Sequence, residues 1–355
     1  MQSSPYYSTG LGAAYLGDSR EIMKEIPDSS VDLICTSPPF ALLREKKYGN
    51  VQADKYLEWF DPFLQEFRRI LKDEGSFVID LGGTWEKGIP YRSLYQYEFL
   101  LRMCRSKEEG GLGWHLAQEL YWYNPAKLPT PAEWVTIRRI RVKDAVNTVW
   151  WLRPTPHKDE KGGKISNRSV LKPYSDAQKN LMEKGYTAKR RPSEHNISDQ
   201  FGNNNGGAIP PTIIKGRTVE GDIGDPAYVD TPEDDWRAPV NVLSASNTAS
   251  NSRYHRRCRE EGVERHPARF PRDLPEFIIK LTTAEGDLVL DPFAGSNMTG
   301  KVAEDYNRRW ISIDEQETYL EGSIFRFPEL DGASVDKQEK DTSRHAPTEQ
   351  PDLFV

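Results

Sequence analysis

The chain has little cysteine: three residues, Cys35, Cys104 and Cys258, far apart and none in a C-x-x-C pair. That set excludes a disulfide framework and a structural zinc built on paired thiols. Histidine is equally thin, six residues without ligand spacing, so no metal constellation can be assembled and any chemistry falls to an organic cofactor or to none. Apolar runs are only strand-length, well short of the roughly 20 residues that cross a bilayer. Residues 1–10 lack the basic and apolar blocks of a signal peptide, so a cytoplasmic protein with no membrane partner is expected. The dinucleotide fingerprint G-x-G-x-x-G is also missing, which favours a single nucleoside over a dinucleotide.

What is present is a soluble chain of 355 residues with mean hydropathy −0.72, long enough for one large or two ordinary domains. Its net charge of −6 is unevenly spread. Residues 1–99 hold 11 Lys/Arg against 15 Asp/Glu, residues 100–275 hold 29 against 22, and residues 276–355 hold 8 against 17. A basic middle between acidic ends suits a local polyanion-binding surface, because phosphate contact depends on where the cations lie. Solvated charge on a loop-rich insert is the plainer alternative.

The pattern along the chain predicts an α/β sheet with helical crossovers. Buried strands are expected at residues 31–36, 76–81, 119–123, 146–152, 288–290 and 310–313, and helices at 54–71, 94–104, 274–281 and 299–306. Between about 153 and 264 the periodicity dissolves into Pro, Gly, Asn and charge, so a loop-rich insert is expected there. Residues 332–350 read as a flexible tail.

Two loops carry chemistry. The first is Asp291-Pro-Phe-Ala-Gly295-Ser-Asn-Met-Thr-Gly300, an acidic strand end followed by a tight turn and a helix. Gly295 lets the backbone approach a ligand, and the helix N-terminus offers unsatisfied N–H groups to its polar parts. The next strand ends at Asp314, a position from which an acid can bind ribose hydroxyls. Taken alone this is also what a structural turn looks like.

The second loop is Thr36-Ser37-Pro38-Pro39-Phe40, at the end of a buried strand. Consecutive prolines fix φ and donate no N–H, leaving carbonyls such as that of Pro38 free to accept. With the Ser37 hydroxyl they offer acceptors for an exocyclic amine, and Phe40 offers a face on which a base can stack. An aromatic amine is a poor nucleophile, so holding its N–H bonds on fixed acceptors beside an electrophilic methyl would accelerate transfer without metal or covalent intermediate. A rigid proline turn is again the bland alternative.

Together these motifs resemble the amino-methylating DNA methyltransferases. Thr36 to Phe40 is similar to their catalytic motif and Asp291 to Gly300 to their S-adenosylmethionine loop, in the permuted order of the β group. Leu16-Gly17-Asp18-Ser19 resembles the acidic motif near the cofactor adenine, and His266-Pro-Ala-Arg-Phe270-Pro271 the segment closing over its methionine part. Residues 124–141 and 145–154 are similar to the target-base side of the pocket. The resemblance implies a doubly wound, mostly parallel Rossmann-like sheet, circularly permuted, with a target-recognition insert. It divides the chain into a catalytic part (1–154), a target-recognition region (155–264), a cofactor-binding part (265–330) and a tail (331–355).

The resemblance further implies S-adenosylmethionine held by Asp18, Phe270, Asp291, Phe293, Gly295, Ser296, Asn297, Thr299 and Asp314, with Ser37, Pro38, Pro39 and Phe40 catalytic. Asn297-Met298 stand where many relatives have Gly-Thr. S-P-P-F usually accompanies cytosine N4, leaving adenine N6 or a catalytically silent DNA-binding protein as alternatives. Carbon-5 methylation is disfavoured, since no cysteine follows a proline. Duplex DNA is the implied partner, with its target base flipped out, and a cognate restriction endonuclease acting on the same site is compatible with it. Candidate phosphate contacts are Arg138, Arg139, Arg141 and Lys143, then Lys189, Arg190 and Arg191, then the Arg253–Arg259 run with Arg256 and Arg257. Arg44, Lys46 and Lys47, beside Tyr48-Gly49, are expected in a lid.

Overall fold

A computed structural model describes residues 1–41, 51–124, 127–156, 164–185, 189–190, 196–214, 253–267 and 270–330. The expected lid with Arg44, Lys46 and Lys47, the residue Arg191, and the tail lie outside the described residues; of Lys189 and Arg190 only the backbone is described.

The strands are β1 (Tyr7–Ser8), β2 (Gly12–Leu16), β3 (Val31–Thr36), β4 (Leu71–Leu81), β5 (His115–Tyr123), β6 (Val146–Arg153), β7 (Lys189–Arg190), β8 (Asn196–Ile197), β9 (Ile213–Ile214), β10 (Leu288–Asp291) and β11 (Arg309–Asp314). The helices are α1 (Ser19–Met23), α2 (Tyr56–Ile70), α3 (Tyr95–Cys104), α4 (Asp176–Lys184), α5 (Arg253–Glu260), α6 (Asp273–Thr282), α7 (Met298–Asp305) and α8 (Glu317–Ser323). Nine strands make one sheet in the order β1-β2-β11-β10-β3-β4-β6-β5-β9. From β2 to β4 all neighbours are parallel; β6 runs antiparallel between β4 and β5. Helices cover both faces, as a mostly parallel sheet requires.

The permutation is visible in the pairing. β10 lies directly beside β3, with Val289 opposite Leu33 and Leu290 opposite Ile34, so segments 256 residues apart end side by side. All six residues of β3 are buried, which is why its sequence is a continuous apolar run instead of an alternation. One face is filled by aromatics of α2, chiefly Phe60, Phe63 and Phe67, with Tyr95 and Phe99 of α3. The other is filled by Ile278 and Ile279 of α6, Val302 of α7, and Trp310 stacked on Phe327 with centroids 5.2 Å apart. Gly12 is obligatory in β2: a Cβ there would come within 2.2 Å of the Trp310 ring.

Several expectations shift. Helix α2 stops at Ile70 and Leu71 opens β4, whose bulged pairing with β3 carries Gly75 inside the strand. The helix tolerates Pro62, a residue that costs about 3 kcal/mol in a helix interior, because Phe60, Phe63 and Phe67 bury one face while Pro62 stands exposed. The insert is not purely loop: it contributes α4, α5 and the edge strand β9, which pairs with β5. Lys164 ties it to the base of the sheet, reaching Asp32 at 2.9 Å and Asp287 at 2.6 Å. The first strands, β1 and β2, are a further departure, since β2 pairs with β11 and so joins the half of the sheet that carries the glycine loop.

Candidate active site

The ends of β10, β3 and β4 open into a cavity of about 580 Å³ lined by Ser37, Pro38, Pro39 and Phe40 on one side and by Phe293, Gly295, Ser296 and Asp314 on the other. The two loops singled out in the sequence therefore face one space. They are also bonded to each other: Thr36 Oγ1 donates to Asp291 Oδ1 at 2.7 Å. Asp291 accepts Thr299 Oγ1 on its other oxygen at 2.7 Å and the Phe293 N–H at 3.2 Å. Burial raises its pKa to about 6, and its bonds favour the charged form.

Gly295 adopts φ +51°, a conformation glycine takes at no steric cost. Its N–H donates to Asp314 Oδ2 at 2.7 Å, and the Gln316 N–H to the other oxygen at 2.8 Å, so the loop is clamped to the end of β11. Burial pushes Asp314 up to about 6. Phe293 packs on Phe63 with centroids 4.9 Å apart while lining the cavity. Phe270 and Thr299 line it as well. Ser296 is held from behind by Arg326, which bonds both its carbonyl and its hydroxyl.

Two residues expected to hold the cofactor do not line the cavity. Asn297 is fully buried at φ +51° and its side chain turns into the protein: Oδ1 accepts the Gly300 N–H and Ser312 Oγ, and Nδ2 donates to Tyr7 Oη. It caps α7 and does not line the cavity. Asp18 is the N-cap of α1, its carboxylate taken by the Arg20 N–H and guanidinium; the cavity wall there is Ser19 and Arg20.

On the acceptor side the sequence did not single out Asp80, and it placed the segments of Lys127 and Asn147 there without naming either residue. Ser37 Oγ donates to Asp80 Oδ2 at 3.1 Å. Asp80 is buried at the end of β4, and burial pushes its pKa up to about 7. Its other oxygen, Oδ1, has no hydrogen-bond partner among the described residues. Asn147 Nδ2 reaches Asp80 Oδ2 at 3.5 Å, and Lys127 Nζ donates to Asn147 Oδ1 at 2.8 Å. The signal for Asp80 was a lone acid inside the apolar run Ser76-Phe-Val-Ile-Asp-Leu81, followed by Gly82-Gly83. Gly82 is needed because a Cβ there would meet the Phe40 ring at 2.5 Å. Cys35 lies fully buried in β3 and burial raises its pKa, so it is no thiolate nucleophile.

A family model described as DNA methylase matches residues 31–325. The chain belongs to the DNA methylase family. It is 44% identical over 326 residues to the type II methyltransferase M.PvuII of Proteus hauseri, covering 91% of this chain and 85% of that one. It is 28% identical to the type II methyltransferase M.BamHI of Bacillus amyloliquefaciens, over 88% of this chain and 57% of that one. Among solved structures it resembles the PvuII DNA methyltransferase (cytosine-N4-specific), with TM-score 0.65 and 38% identity over 92% of this chain and 89% of that one.

This methylase presents its basic groups unevenly. Arg138 and Arg139 are exposed on the segment between β5 and β6, which also carries pocket-lining Asn124 and Lys127. Arg138 is paired with Glu133 at 2.6 Å, and Arg141 donates to the Pro90 carbonyl and lies 5.7 Å from the Tyr91 ring centre. The Arg253–Arg259 run forms α5, which packs on α8 and the 324–326 turn and contributes nothing to the cavity wall. Arg257 is bonded to Glu261 at 3.0 Å and lies over Phe325. Arg256 sits on the same helix, half-buried. No helix of the described residues is long and apolar enough to cross a membrane.

Proposed function

We propose that this DNA methylase transfers a methyl group to N4 of a cytosine flipped out of duplex DNA. The observation that carries the reading is the pairing of Ser37 with Asp80 in the same cavity as the Gly295–Asp314 clamp. The donor set suits S-adenosylmethionine: a left-handed glycine with no Cβ, the start of α7, and a buried acid at the end of β11 for hydroxyls. When bound, that cofactor supplies a methyl on a sulfonium, an electrophile requiring no metal.

The chain's own residues do the rest. Phe40, packed against Gly82, gives the base a stacking face. Ser37 Oγ and the Pro38 carbonyl accept the two N–H bonds of the amine and bring its lone pair to bear on the methyl carbon. As the N–C bond forms, the C–S electron pair leaves with sulfur and the amine becomes cationic. Its surplus proton passes through Ser37 Oγ to Asp80, whose raised pKa makes it a competent acceptor near neutrality. Arg138, Arg139 and Lys143, exposed on the segment between β5 and β6, contact phosphates, and the insert reads the sequence. The reading places the protein in the cytoplasm, where a restriction endonuclease cutting the same site would be its counterpart, in keeping with the type II names of the relatives.

The test is to incubate plasmid DNA, transfer RNA and protein with labelled cofactor, digest the DNA to nucleosides and identify the product by mass. N4-methylcytosine in DNA alone is expected. N6-methyladenine as the sole product would overturn the base assignment, and label only in RNA or protein would overturn the substrate class.

A further inference from the structure

The acceptors around Ser37 do not by themselves choose cytosine. Adenine presents the same amine beside a ring nitrogen, and the first atom at which the two bases differ lies one position further on. There cytosine has a carbonyl oxygen, O2, and adenine a C–H. A pocket that accepts at the amine and donates at that further position fits cytosine over adenine, and thymine lacks the amine.

The wall beyond Asp80 supplies a donor. Lys127 lines the cavity together with Asn147 and Trp122. Asn147 sits on β6 opposite Trp122 of β5, both buried, so its amide is fixed by the sheet. Its Oδ1 holds the Lys127 ammonium at 2.8 Å, and among the described residues this is the one hydrogen bond the ammonium makes. An ammonium has three N–H donors, so two remain for a ligand. The chain Ser37, Asp80, Asn147, Lys127 thus runs along one wall, from the acceptor of the amine to a cation.

We propose that Lys127 is the base-selecting residue of this pocket, donating to O2 of the flipped cytosine. The inference rests on the function proposed above. An adenine in the same pose would set a C–H against the ammonium and leave a half-buried cation without its partner, and sites built around such a bond reject the analogue that lacks it.

The experiment uses the full chain and duplexes containing its methylation site, mapped on modified plasmid, with the target base cytosine, adenine or 2-thiocytosine, whose sulfur is a weaker acceptor. Lys127→Met is expected to lower kcat/KM on the cytosine duplex about 100-fold and to leave that on the adenine duplex within about threefold, collapsing the preference. Lys127→Arg should restore most of it. In the wild type, 2-thiocytosine should cost about tenfold, and in Lys127→Met nothing further; the wild-type measurement stands even if the variant folds poorly. An equal fall on both bases, with a moved pH profile, would mean that Lys127 only tunes Asp80 and would overturn the proposal, as would an unchanged preference. A wild type that makes no N4-methylcytosine would instead sink the function on which it rests.

Discussion

Asp291 and Asp80 end the strands on either side of β3, and burial raises the pKa of both, yet the molecule uses them in opposite ways. Asp291 has both oxygens filled by the protein: Thr36 and the Phe293 N–H on one, Thr299 on the other. Asp80 has one oxygen without a partner among the described residues and the other at longer distances, 3.1 Å from Ser37 and 3.5 Å from Asn147. An acid whose bonds are complete is a rivet. An acid left incomplete in a buried site is costly to stability and available to chemistry. The cofactor half is held in shape by its own bonds, whereas the acceptor half keeps polar capacity for a ligand.

The sharpest way to break this contrast is Asp80→Asn. Loss of the proton acceptor should slow single-turnover methylation by about 10³-fold, with cofactor affinity by calorimetry unchanged within about twofold. Stability should move the other way. A carboxyl whose folded pKa lies near 7, above its ordinary value near 4, binds protons more tightly when folded, so its contribution falls as pH rises across that window and stays lost above it. Asp80→Asn should therefore have a higher urea midpoint than wild type at pH 8 and a smaller advantage at pH 5. An equal or lower midpoint at pH 8 would make Asp80 a rivet too.

Asp291→Ala should do the reverse of a catalytic substitution, removing about 3 kcal/mol of stability by stranding Thr36, Thr299 and a backbone N–H; denaturant unfolding measures it. If the variant were as stable as wild type, the clamp between β3 and β10 would carry no weight. Next in size, Ser37→Ala should reduce turnover about 100-fold at unchanged cofactor affinity, while Asp314→Ala should weaken cofactor binding about 30-fold with little change in saturated turnover. Pre-steady-state rates beside titration calorimetry separate the two. The pH profile sharpens the comparison further: the single-turnover rate should climb about tenfold per pH unit below about 7 and level off above it, because Asp80 must be ionised to accept the proton. The smallest effect is Asn297→Ala, about 1 kcal/mol from the lost cap and the left-handed backbone, with cofactor affinity nearly unmoved.

Much of this was legible along the chain where local pattern and tertiary environment agree. The runs at Val31–Thr36 and Leu288–Asp291 are apolar because both faces of a central parallel strand are covered, and their loops are read from proline and glycine stereochemistry. Asn297 shows where such reading stops. Its tolerance of a left-handed conformation is a property of the residue, but whether its amide faces a ligand or the helix start depends on the packing of Tyr7 and Ser312. Asp18 is engaged by its own neighbourhood in the same way, through Arg20. Strand β2 escaped notice because its partner β11 lies almost 300 residues away, and α5 because, with four arginines in eight residues, only Tyr254, His255 and Cys258 mark its buried face.

The sequence alone determined that two stiff, polar-ended loops exist, that one suits a nucleoside and the other an aromatic amine, and that thiol and metal chemistry are absent from the motifs: these follow from covalent structure, φ restriction and residue chemistry. Only the tertiary structure decided that the loops share a cavity and that Asp80, Asn147 and Lys127 form its far wall. A carboxylate within a strand has the same local appearance whether its oxygens are filled or left open, and the neighbours that settle the matter come from strands distant in the chain.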